Sequence, residues 1–139
     1  MEPRVQYAQT EDGVGIAYWT LGEGVPLVVM PNLPFSHVEV EWNIPEYRAW
    51  YEQFIERGVR LVRYDGRGSG LSDRDVNDFS LEAHLRDLGA VADQLGDGQF
   101  VLVGPVRNGP VAIAYAARWP ERVSHLVLWC SFARGADYF

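Results

Sequence analysis

Four short, largely apolar runs punctuate the chain: Leu27-Val28-Val29-Met30, Leu61-Val62-Arg63-Tyr64, Phe100-Val101-Leu102-Val103 and Leu126-Val127-Leu128-Trp129. A strand with one wet face alternates apolar and polar residues, so runs without alternation predict parallel strands covered on both faces. Between the runs the period becomes helical. Tyr47, Trp50, Tyr51, Phe54 and Ile55 fall at i, i+3, i+4, i+7 and i+8, and Gly58 follows as a stop. Leu81, Leu85, Leu88, Ala92 and Leu95 form a second stripe, with Ser80 as the expected N-cap and Gly96 as the end. A third helix opens at Pro110 and runs through Ala117, apolar on all sides, which predicts a place in the middle of a domain. Residues 5–8 and 14–21, around Asp12-Gly13, read as a hairpin. A hairpin followed by alternating strand and helix predicts an α/β domain with a mostly parallel sheet.

Composition narrows the class. The 139 residues are 47% hydrophobic and 22% charged, which predicts one globular domain over residues 1–139. Nineteen acids against twelve bases give a net charge of −7, a field that repels phosphate backbones and argues against a nucleic-acid partner. The single cysteine, Cys130, makes no intrachain disulfide, as expected of a cytoplasmic protein. The first residues show no basic segment followed by an apolar stretch, so no signal peptide is expected. No apolar run approaches the roughly 18 residues of a membrane span. His37, His84 and His125 are scattered, without a second ligand at helical spacing, so neither a metal nor a cofactor is expected.

One motif is more specific. Asp65-Gly66-Arg67-Gly68-Ser69-Gly70-Leu71-Ser72-Asp73 follows a predicted strand, and Tyr115-Ala116-Ala117-Arg118-Trp119-Pro120-Glu121-Arg122-Val123 precedes another. Together with residues 104–110 they resemble the α/β-hydrolase superfamily, over essentially the whole chain and in order. Within it the chain is similar to domains fused to cyclase or LuxR-type regulators. The resemblance implies a truncated α/β-hydrolase fold, covering the N-terminal half, with the acid and histidine of the family's triad lying beyond the matched region.

The same resemblance implies a nucleophile elbow of the form Gly-x-Ser-x-Gly at a strained strand-to-helix turn. The aligned stretch reads Gly104-Pro105-Val106-Arg107-Asn108-Gly109, so Val106 occupies the serine's place. Valine carries no nucleophilic atom, and no catalytic residue is assigned. A β-branched residue suits a positive φ poorly, so Val106 is expected at negative φ, with Asn108 absorbing the bend. The loop 31–37 aligns with the family's oxyanion loop, and the candidate pocket is Asn32, Leu33, His37, Val106 and Arg107. His37 is expected in ordinary loop hydrogen bonds, His84 in helix packing and His125 in a structural role. Cys130 is expected as a small buried hydrophobe, Asp65 and Arg67 as braces of their turn, and Trp42, Tyr47, Trp50 and Tyr51 as packing rather than a ligand cage.

These readings predict a catalytically inactive protein of hydrolase scaffold. The alternative is a weak esterase or lactonase working through a relocated or subunit-shared group. Where the sequence stops, the last strand is expected to keep an open apolar edge. That predicts a homodimer or higher even oligomer through residues 123–139, with the aromatic tail as a latch.

Overall fold

The computed structural model describes residues 1–137. Strand β1 (Gln6–Gln9) turns back through Asp12-Gly13 into β2 (Gly15–Leu21), the expected hairpin, and β3 (Val25–Val29) follows. A short helix α1 (Val38–Asn43), which the apolar pattern did not announce, precedes α2 (Pro45–Glu56). Then come β4 (Val59–Tyr64), α3 (Leu81–Asp93), β5 (Phe100–Pro105), α4 (Gly109–Arg118) and β6 (Val123–Trp129). The six strands form one sheet in the order β1-β2-β4-β3-β5-β6. β1 and β2 run antiparallel to their neighbours, while β3 pairs in parallel with β4 and β5, and β5 with β6.

The unalternating runs now have their reason, because successive side chains of one strand enter two different cores. Val28 of β3 and Met30 just after it join Val62, Leu88, Phe100, Leu102 and Ala112 beneath α3 and α4. Leu27 and Val29 point the other way, onto Trp19, Trp42, Tyr51 and Leu61 beneath α1 and α2. Ser80 caps α3 by accepting from the Ala83 N–H at 3.2 Å, as its position predicts. The cover is uneven. Val101 and Val103 of β5 are only partly buried on the α1–α2 side, and Leu126 to Trp129 of β6 are 38–53% exposed.

Two buried groups brace the loops at the carboxyl ends of β3 and β4, in keeping with the bracing expected of Asp65 and Arg67. Asp65 is fully buried and accepts from the Ser36 hydroxyl at 2.8 Å, the Val38 N–H at 3.1 Å and the Leu71 N–H at 2.9 Å. The Arg67 guanidinium donates to Asp87 at 2.9 Å and to both oxygens of Asp12, at 2.9 and 3.1 Å. It thereby ties the hairpin turn to α3. Burial raises the Asp87 carboxyl, and the hydrogen bonds from Arg67 only partly offset this. Asp12 behaves oppositely: hydrogen bonds from Arg67 and Thr10 hold its carboxyl well below the usual carboxylate range.

That difference fixes a pH dependence. A carboxyl depressed in the folded state stabilises fully above its ordinary pKa, near 4, and less as pH falls below it. Asp12→Asn should therefore cost about 1 kcal/mol at pH 7, a figure kept small because the carboxylate is partly exposed. In urea titrations the gap between the variant and the parent protein should close as the pH is lowered from about 4 towards 2.

Candidate functional site

The turn from β5 into α4 is the geometric centre of the site. Val106 stands at its apex with φ 47°, not at the negative φ expected for valine, and Asn108 does not take the bend, since its φ is −88°. Packing on both sides of the turn explains the correction. A side chain at Gly104 would meet the Ala112 methyl at 2.6 Å, and one at Gly109 would meet the Ser131 hydroxyl at 1.7 Å. Strand and helix are thus pressed together, and the single residue joining them at the apex must turn left-handed whatever it is. Asn108 serves differently: buried, it donates from Nδ2 to the Pro31 carbonyl at 2.7 Å, tying the turn to the loop after β3. The Val106 carbonyl accepts from the Gly109 N–H and from the Ser131 hydroxyl, the latter at 2.5 Å.

Val106 borders a cavity of about 550 Å³ between α2 and the ends of β3, β5 and β6. Its walls are mostly apolar, and Trp50 approaches Trp129 across it, with ring centroids 5.9 Å apart. The aromatic set thus divides. Trp42 and Tyr51 pack on Trp19 as core, but Tyr47, Trp50 and Tyr51 also line the cavity, which the packing-only expectation missed. Three charged residues line it, Arg63, Glu41 and Glu46. Arg63 donates to the Val29 carbonyl at 2.7 Å, to the Met30 carbonyl at 3.0 Å and to Glu41 at 2.6 Å. The Tyr51 hydroxyl donates to the same Glu41 oxygen at 2.8 Å, and burial pushes that hydroxyl well above its ordinary pKa. Burial works against the Arg63 charge too, but Tyr51 and Glu41 outweigh it and leave the guanidinium more firmly protonated. Glu41 is therefore committed to an ion pair.

The five candidate pocket residues do not share one cavity. Asn32 and Val106 line this one, whereas Leu33, His37 and Arg107 line a second, beyond the loop 31–37. His37 caps α1 by accepting from the Val40 N–H on Nδ1 at 3.2 Å, an ordinary loop bond as expected. His84 is mostly buried on α3, 3.9 Å from Asp87, and burial lowers its pKa. His125 lies within β6, exposed, against the Ser124 hydroxyl at 3.1 Å. Cys130 corrects its expectation: it is exposed, sits at φ 49° at the end of β6 and lines the first cavity with Val106. The apolar run before it suggested burial, but among the described residues no element covers that side of β6. No histidine lines the first cavity among the described residues, so Val106 and Cys130 share it without an imidazole base.

The alpha/beta hydrolase fold family model matches residues 37–138. The 2-hydroxy-6-oxononadienedioate/2-hydroxy-6-oxononatrienedioate hydrolase of Klebsiella pneumoniae is 37% identical over 89 residues, which are 63% of this chain and 31% of that protein. The AB hydrolase superfamily protein YisY of Bacillus subtilis is 30% identical over 112 residues, 81% of this chain and 39% of that one. The chain thus spans about a third of the length of the curated relatives it matches. Among solved structures, the esterase from Exiguobacterium antarcticum superposes with a TM-score of 0.80 at 24% identity, over 92% of this chain and 46% of the other. The bromoperoxidase from Bacillus anthracis does so with 0.77 at 24%, over 90% and 44%. At that identity the likeness is one of fold.

Strain at the apex has a measurable consequence. A β-branched residue in the left-handed region costs about 1–3 kcal/mol. Val106→Gly should relieve that cost and leave stability within about 1 kcal/mol of the parent. Val103→Gly, in regular strand, should lose about 2 kcal/mol or more. Urea unfolding of the two variants side by side checks this, and equal losses would show that the turn carries no strain.

Proposed function

The chain belongs to the α/β-hydrolase-fold family, and from that premise we propose that it is a member without serine-type hydrolytic activity. The reading rests on one observation, an aliphatic Val106 at the left-handed apex between β5 and α4, the turn on which such a fold presents its nucleophile. Valine offers no lone pair to attack a carbonyl, and the cavity it borders has no histidine among the described residues to act as general base. The relatives' names speak of hydrolases, yet each has two-thirds or so of its length outside the match. A role in binding rather than turnover belongs to the same proposal, and the free Cys130 agrees with a cytoplasmic setting.

A second reading has one observation in its favour. Cys130 is an exposed thiol in the same cavity and, like Val106, sits at positive φ after a strand. An atypical esterase or lactonase would use it as the relocated nucleophile, and a thiol-blocking reagent would then abolish turnover.

Ester hydrolysis decides between them. p-Nitrophenyl acetate should not be turned over above background, and a fluorophosphonate probe should label nothing. Val106→Ser should raise kcat/KM by less than about a thousandfold, because a hydroxyl without a base to take its proton remains a weak nucleophile. A larger gain would expose a hidden base and overturn the proposal.

Self-assembly belongs to the same proposal, with a second copy of this chain as the partner. β6 is the terminal strand of the sheet, and Leu126, Val127, Leu128 and Trp129 are all substantially exposed. Neither lysine nor proline interrupts β6 to discourage pairing. Two such edges joined about a two-fold axis would continue one sheet through both copies and satisfy each other's backbone groups. Phe132 of the proposed tail latch is half-buried, while Tyr138 and Phe139 lie outside the described residues. Light scattering at micromolar concentration should give a mass of twice 15.7 kDa or a higher even multiple, and Val127→Asp should reduce it. A uniform 15.7 kDa species would refute the assembly.

A further inference from the structure

On the far side of the loop 31–37 from Val106 lies a second cavity of about 660 Å³, where that loop meets the turn after β4 and the first turns of α3. Among the described residues its lining holds three arginines and two histidines but not one carboxylate. In a chain with nineteen acids and twelve bases, that segregation demands a structural cause. Three nearby acids are turned into other work. Asp65 accepts from Ser36, Val38 and Leu71, Asp87 from Arg67, and Asp73 from the Gly15 N–H at 2.7 Å.

The cations are not equally spent. Arg67 is neutralised by Asp12 and Asp87. Arg74 donates to the Gly70 carbonyl at 2.7 Å and pairs with no carboxylate among the described residues. Arg107, exposed and directly after the strained apex, makes no hydrogen bond or ion pair among the described residues. His37 has a fixed tautomer when neutral: its Nδ1 accepts from Val40, so the ring proton lies on Nε2 and remains a donor. Beside these donors stand two phenylalanines with much of their surface in water, Phe35 at 84% and Phe79 at 54% exposed. Two aromatic faces beside a guanidinium without a carboxylate partner match an apolar ring carrying a single acid group. The planar fork of arginine fits a carboxylate with two parallel hydrogen bonds.

We propose that this second cavity binds a small aromatic carboxylate, with Arg107 taking the acid group, Arg74 and His37 adding positive potential and a donor, and Phe35 and Phe79 receiving the ring. The site is separate from the Val106 cavity, so it stands whether or not the protein hydrolyses esters.

The probe is 2-naphthoate, titrated by calorimetry and followed by its fluorescence. Saturable binding with a Kd below about 1 mM is expected, weakening as salt rises from about 0.05 to 0.5 M. Arg107→Gln, a change at an exposed side chain, should weaken binding at least about tenfold, and the uncharged analogue naphthalen-2-ylmethanol should lose at least as much. Val103→Phe, which fills the first cavity, should leave the affinity unchanged, with circular dichroism to verify its fold. Four results overturn the proposal: no saturation by about 10 mM, equal affinity for the alcohol, indifference to Arg107→Gln, or loss of binding in Val103→Phe. Tighter binding of 2-naphthyl phosphate than of the carboxylate would also overturn it, by making the site one for phosphate esters.

Discussion

The closeness of β5 and α4 governs the rest of this structure. Gly104 lies against Ala112 and Gly109 against Ser131 with no room for a side chain at either glycine, so strand and helix meet through a turn three residues long. Val106 absorbs the whole reversal at φ 47°, and its carbonyl is held by Gly109 and Ser131. The same turn anchors Asn108 to the Pro31 carbonyl and leaves Arg107 in the open. One packing constraint therefore sets the floor of the first cavity and brings Arg107 to the second. The strain belongs to the scaffold rather than to any chemistry at the turn.

The wall between the two cavities is the loop 31–37, and buried polar groups keep it in place. Asp65 grips it through Ser36 and Val38 while also accepting from Leu71 in the turn after β4. Arg63 holds its root at the Val29 and Met30 carbonyls and carries Glu41 and Tyr51 with it. Asp65 and Arg63 are buried, so removing a partner would strand either charge away from solvent and cost several times a surface pair. The consequence for function is a division of labour. Carboxylates near the loop are consumed by structure, which leaves the first cavity apolar with a neutralised ion pair and the second with uncompensated cations.

Across the sheet, cover thins from β4 towards β6. The central strands bury both faces, but β5 is only half covered on the α1–α2 side and β6 exposes a row of large apolar side chains. Trp50 of α2 and Trp129 of β6 face each other over the resulting gap, and Cys130 opens onto it. An aromatic-lined gap thus lies beside the exposed edge of β6.

The order of strands and helices, the parallel sheet, the caps at Ser80 and Pro110 and the role of Asp65 and Arg67 were legible in the sequence. The elements and caps depend on local periodicity, and the role of Asp65 and Arg67 was legible only through the motif's resemblance to a family, since their partners lie far along the chain. The absence of a nucleophile at position 106 was equally legible, since it is a matter of side-chain identity. Helix α1 was not, because six residues are too few for a periodic signal and His37 gave no familiar cap. Only the tertiary structure decided the backbone at Val106. Intrinsic preference argued for negative φ, and the packing of Gly104 against Ala112 in the following helix and of Gly109 against Ser131 beyond β6 overruled it. It likewise decided that Asn32 and Val106 part from Leu33, His37 and Arg107, and that Cys130 is exposed, because which residues share a cavity depends on how loops from separate strands are pinned together.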